Sequence, residues 1–236
     1  RTALFQIVSL DEKQNICSYQ KGWAPDFLAM ICPHCGATLD GESDSIVLHC
    51  HNCYRAWVED RGQFVSVTWH AGKNPRDGLA QLPFWKVTLE TTGVDIKSFG
   101  DYLRKTNQPM VVKKDYDGEP FSFIVPAFKL QPKMFLTLSK RFTVAQMKLI
   151  KGKREDYGKL YPVTLPLQEV VESLKTLLVT SSVYKKRVAP AIENISIKLI
   201  GNELMYLPFS QHGNDLVQNY SNIAVPSSTL RLGRKL

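Results

Sequence analysis

Two cysteine pairs, Cys32-Pro-His-Cys35-Gly and Cys50-His-Asn-Cys53, stand fourteen residues apart and constrain this chain more than any other feature. A CxxC pair on a tight turn points two thiolates to one side, and two such turns complete a tetrahedron around a metal ion. A closed four-thiolate site has no open coordination position. It can hold a fold together, but it cannot activate water as a three-ligand zinc does. The expected ligands are therefore Cys32, Cys35, Cys50 and Cys53, and the expected cofactor is a structural Zn2+. His34, His49 and His51 are expected to face solvent around the knuckles rather than to ligate. Cys17 has no partner cysteine and is expected to serve as a small core residue.

Segment 31–58, ICPHCGATLDGESDSIVLHCHNCYRAWV, resembles a zinc ribbon. The resemblance implies that Gly36 lets backbone N–H groups turn toward sulfur. It also implies that Asp40-Gly41 opens a loop into a strand at Ser45–His49, and that Trp57 covers the ribbon face. A module of roughly 40 residues or fewer has too little core to fold alone, so metal binding supplies much of its folding free energy. Cys32-Pro-His-Cys35-Gly is also similar to one knuckle of a rubredoxin, so an iron redox module is an alternative. The second knuckle lacks the matching Pro and Gly, and the spacing is shorter than that family uses. As a whole the chain resembles uncharacterised bacterial zinc-ribbon proteins in which a ribbon precedes an LPFW-type strand and a PAFK segment. That likeness implies no activity.

At 236 residues, with 44% hydrophobic and 22% charged side chains, the chain can bury a sizeable core in one or two domains. No run is long enough for a transmembrane helix. Reduced cysteine ligands point to the cytoplasm or the cytoplasmic face of a membrane; the opening Arg1 leaves room for an upstream anchor or leader. The net charge of +8 is unevenly spread, with residues 1–60 at −4 and the remainder at +12. Phosphate binding needs Lys and Arg at the contact surface, so the ribbon is a poor nucleic-acid contact. The basic stretch is 129–159, where Lys140, Arg141, Lys148, Lys151, Lys153 and Arg154 are the candidate contacts for nucleic acid or an acidic partner. Phe135, Phe142 and Tyr157 are interleaved there, a composition that suits single strands through phosphate attraction and stacking. The same charges suit an anionic leaflet.

The expected fold class is α+β. A β-hairpin and zinc ribbon fill residues 1–70, the turn-rich 70–78 forms a boundary, and an α+β body fills 79–236. Strands are expected at Ala3–Leu10, Ile16–Gln20, Gln63–Trp69 and Leu82–Glu90. Met110–Lys114 and Phe121–Val125 are expected to form a hairpin about Asp115–Gly118. Ile195–Ile200 and Leu204–Leu207 are expected to meet at a Gly201-Asn202 turn. Helices are expected at Ile96–Lys105, Pro132–Phe142 and Leu165–Thr180, the last capped by Thr164, with about three helices covering one side of the sheet. Leu82-Pro-Phe-Trp85, Val125-Pro-Ala-Phe128 and Leu207-Pro-Phe209 place proline beside an aromatic three times. Proline donates no ladder hydrogen bond, so strand ends or sheet edges are predicted there.

No phosphate loop, nucleophile elbow or HExxH helix is present, and only His70 and His212 lie outside the ribbon. The expectation leans away from an enzyme. A zinc-binding adaptor or assembly protein, with a basic body that meets a protein partner or membrane face, fits the sequence better. The exposed acidic loop Asp40, Glu42, Asp44 would suit a basic protein surface. The main alternative is a nucleic-acid-binding protein that uses 129–159.

Overall fold

The computed structural model describes residues 27–73, 80–94, 96–118, 120–146, 159–183 and 194–235. The hairpin expected at 3–20, Cys17, residues 74–79 of the boundary and the basic cluster Lys148, Lys151, Lys153 and Arg154 lie outside them.

The architecture is α+β. A three-stranded antiparallel sheet carries the cysteines: β1 (Val47–His49), β2 (Ala56–Asp60) and β3 (Gln63–Val67), in that order. Arg61 and Gly62, with φ of 52° and 77°, make the two-residue turn that joins β2 to β3, the left-handed geometry a tight hairpin demands. β4 (Trp69–Ala71) leaves this sheet and pairs parallel with the body.

The body is a seven-stranded mixed sheet built on β5 (Ala80–Thr92) and β8 (Ser196–His212), antiparallel over most of their lengths. β6 (Ser122–Pro126) and β7 (Lys159–Leu160) share the far side of β5, whereas β9 (Asp215–Gln218) and β10 (Ala224–Pro226) extend the sheet beyond β8. Among the described residues four helices cover it: α1 (Phe99–Lys105), α2 (Pro132–Ala145), α3 (Leu167–Ser181) and α4 (Ser227–Gly233).

Alternation along β5 explains the layering. Trp85, Val87 and Leu89 join α1 and α3 in one core, together with Tyr102, Leu174 and Leu177. Leu82 and Phe84 point the other way, into a second core with Leu138 and Phe142 of α2 and Leu230 of α4. Helices therefore lie on both faces rather than one. A central strand buried on both faces reads as a nearly continuous apolar run, as Leu82–Val87 does.

Four local expectations are corrected. Ser196–His212 is one strand, not a hairpin: neither Gly201 nor Asn202 has the positive φ that a two-residue turn requires. The irregularity is a bulge at Ile200, where Thr88 pairs with Gly201 but Leu89 pairs with Leu199. Met110–Lys114 is not a strand; β6 pairs with β5, and Lys114–Asp117 is a short 3-10 turn. α1 starts at Phe99 because Ser98 and Asp101 form a reciprocal capping box, so Ile96 packs outside it. On α3 the capping position falls to Pro166, and Thr164 Oγ1 instead accepts from the Lys129 backbone at 2.9 Å.

Candidate metal centre

Each knuckle is a closed backbone turn. Cys32 N donates to Ala37 O at 2.7 Å and Gly36 N to Cys32 O at 2.9 Å. In the second knuckle, Cys50 N donates to Arg55 O at 2.9 Å and Tyr54 N to Cys50 O at 2.8 Å, the same pattern with the same spacing. The residue after the second cysteine has positive φ in both, 74° at Gly36 and 58° at Tyr54. The Ile31–Thr38 bridge closes the first knuckle, and the Asp40–His49 bridge seats it against the second.

These turns bring the four sulfur atoms within 4.8 Å of one another. Cys32 Sγ lies 3.6 Å from Cys53 Sγ, and Cys35 Sγ lies 3.4 Å from Cys50 Sγ. A tetrahedral zinc with sulfur at about 2.3 Å separates its ligands by about 3.8 Å, so the donor set fits a four-coordinate thiolate site. Cys32 and Cys50 are buried, with Leu39 and Trp57 packed around them, so Trp57 covers the site as expected.

The local field favours thiolates unevenly. The Asn52 side chain, then the Ala37 backbone N–H, draw the Cys35 thiol down to about 6. Burial opposes ionisation of Cys32, yet backbone hydrogen bonds from His34 and Cys35 hold it below the ordinary thiol value. Burial pushes Cys53 up to about 12. A bound cation reverses that last penalty, because a coordinating thiol is deprotonated outright.

The histidines divide. His34 is exposed, and His51 is exposed and bonded to Asp40 Oδ2 at 2.9 Å. His49 does not face solvent. Its Nε2 lies 2.8 Å from Tyr206 Oη, and its ring meets Trp69 edge-on at 4.7 Å. Burial pulls it down to about 4, so it is neutral, and its Nδ1 has no hydrogen-bond partner. The sequence offers no signal for this, since Tyr206 is far away in the chain.

The cysteine-bearing segment is tied to the body at several points. Trp69 Nε1 donates to Tyr54 O at 3.1 Å, so both flanks of the second knuckle, His49 and Tyr54, meet the same Trp69. Ile46 N donates to Val163 O at 2.9 Å. Arg234, just past α4, holds Asp44 at 2.7 and 2.8 Å and Glu42 at 2.6 Å. The acidic loop is thus occupied by this chain's own arginine, which corrects the picture of a bare acidic surface.

Of the basic candidates, Lys140 and Arg141 lie near the end of α2, and Lys133 shares their outward face at i, i+7 and i+8. Among the described residues none of the three has an ion-pair partner. The interleaved aromatics do not flank them as a stacking platform: Phe142 is wholly buried and Phe135 is half-buried against the core. Asp117 pairs with Arg104. Among the described residues, Cys32, Cys35, Cys50 and Cys53 form the one group of three or more potential ligands close enough to share a metal ion. No described helix is long and apolar enough to cross a membrane. No protein-family model, curated protein or solved structure matches the chain.

Proposed function

We propose that this chain is a non-enzymatic adaptor or assembly protein. A structural Zn2+ on Cys32, Cys35, Cys50 and Cys53 stiffens the ribbon (1–70), and the basic body (79–236) meets a protein partner or a membrane face on the cytoplasmic side. The observation that carries this is the convergence of four thiols in a partly buried site with no open position, which suits a scaffold and not a reaction. Zinc is preferred to iron because Cys50-His-Asn-Cys53-Tyr lacks the Pro and Gly of a rubredoxin knuckle. Colour decides between them, since iron thiolate absorbs visible light and zinc does not.

The contact face is α2, through Lys133, Lys140 and Arg141. Affinity capture with the zinc-loaded chain should recover a partner that the triple variant Lys133→Glu, Lys140→Glu, Arg141→Glu fails to hold. Equal capture by that variant would remove α2 from the interface. A second reading, nucleic-acid binding, is favoured by the same three unpaired cations. It predicts oligonucleotide binding that weakens steeply with salt yet survives at about 0.15 M, and that the triple variant abolishes.

A further inference from the structure

Beside α2 lies a groove of about 580 Å³, within the few-hundred to thousand Å³ range of small-molecule sites. Lys140 and Arg141 stand at its rim, and Phe99, Tyr116 and Val144 supply apolar and aromatic surface. Phe99 is buried and meets Tyr116 edge-on at 5.1 Å between centroids. These aromatics come from a part of the chain remote from the basic stretch, so the sequence does not pair them with its cations.

Two amides complete the lining, and their hydrogen bonds fix their orientation. Gln108 Nε2 donates to Ser181 O and Thr106 Oγ1, at 2.5 and 3.1 Å. Gln146 Nε2 donates to Ser122 O at 2.9 Å and Thr143 O at 2.7 Å. Backbone carbonyls only accept, so these atoms must be the nitrogens, and neither amide can flip without losing its anchors. Both donor groups are committed, and the oxygens Oε1 have no partner among the described residues. The groove therefore offers acceptors from its amides and positive charge from its rim. Gln146 closes α2 as its left-handed C-cap, at φ 40°, ψ 59°.

We propose that this groove binds a nucleoside monophosphate whose base carries an exocyclic amine. The phosphate meets Lys140 and Arg141, the base packs on the Phe99–Tyr116 side, and the amine donates to Oε1 of Gln108 or Gln146. An amine-bearing base (adenine, cytosine or guanine) satisfies those acceptors. Uracil, which presents a carbonyl at the equivalent position, leaves them unpaired. This rests on the second reading above only in sharing Lys140 and Arg141.

Titration calorimetry of the zinc-loaded full chain with AMP, CMP, UMP and inorganic phosphate tests it. AMP or CMP should bind saturably, with UMP weaker by about tenfold, roughly the cost of one lost hydrogen bond. The double variant Lys140→Ala, Arg141→Ala should weaken AMP by about tenfold or more, the scale of charge-assisted contacts, while leaving adenosine unchanged. Both substitutions are on the helix surface and leave its core face intact. In the wild-type chain AMP should also shift the side-chain amide resonances of Gln108 and Gln146. Phosphate binding as tightly as AMP and CMP, UMP binding equally well, or no saturable nucleotide binding would each overturn the proposal. Oligonucleotide binding without mononucleotide binding also overturns the groove but leaves the second reading of α2 intact; mononucleotide binding alone supports the groove.

Discussion

Tyr54 occupies in the second knuckle the place that Gly36 fills in the first, at φ 58°. A bulky side chain in the left-handed region costs on the order of 1–2 kcal/mol, and the shared turn geometry around a pair of thiolates maintains it. Tyr54→Gly should therefore keep the metal, read as metal-to-protein stoichiometry; a loss of metal would show that the tyrosine ring, not the turn, holds the knuckle. Cys32→Ser or Cys53→Ser should release the metal, whereas His34→Ala and His51→Ala should retain it, as measured by metal-to-protein stoichiometry. The convergence of the four cysteines was legible in the sequence because each CxxC is local and its geometry follows from spacing alone. His49 was not. Its partner Tyr206 is 157 residues away, and a histidine beside a knuckle reads as a surface residue until the sheet arrives to bury it.

Strands and helices show the same division between local and distant causes. Of the three prolines expected at strand ends or sheet edges, only Pro126 ends a strand; Pro83 and Pro208 lie inside the central strands β5 and β8, and the sheet explains why. Pro83 falls between the stretches of β5 paired with β7 and with β6, and its carbonyl, on that same side, accepts from Ala127 N at 3.0 Å. Pro126 ends β6, and Pro208 falls between the stretches of β8 paired with β4 and with β9. Each missing donor thus lies where a neighbouring strand stops, even on strands at the centre of the sheet. The unbroken run of β8 was not legible, because Gly201-Asn202 carries turn chemistry and only pairing with β5 keeps it extended. α2 and α3 were legible from periodicity, but which face of the sheet each covers depends on the alternation of β5. At α4, a Cβ on Gly233 would collide with the carbonyl of Lys129. Backbone cannot yield as a side chain does, so Gly233→Ala should destabilise the protein by about 1–3 kcal/mol, the scale of overpacking. Denaturant unfolding measures this, and a neutral result would mean that α4 is free to shift.

At the scale of the whole molecule, the ribbon is docked and not dangling. His49, Tyr54, Ile46 and the Asp44–Arg234 pair join it to β8, β4, the segment before α3 and the C-terminal helix. Tyr206→Phe removes the hydroxyl partner of His49 Nε2 and leaves a half-buried imidazole with neither nitrogen bonded to a described residue. That should cost about 1–3 kcal/mol, read as a fall in the denaturation midpoint with metal still bound. Anything that binds the folded state alone stabilises it, so a chelator should melt the ribbon and lower the melting temperature of the body, which still folds. An unchanged body would show that the docking contacts carry no coupling. The account depends most on the four thiols holding one structural metal ion, and elemental analysis of the protein purified without added metal tests that directly. It predicts one zinc per chain in a colourless protein, lost in Cys32→Ser; iron with visible absorption, or no metal at all, would contradict it.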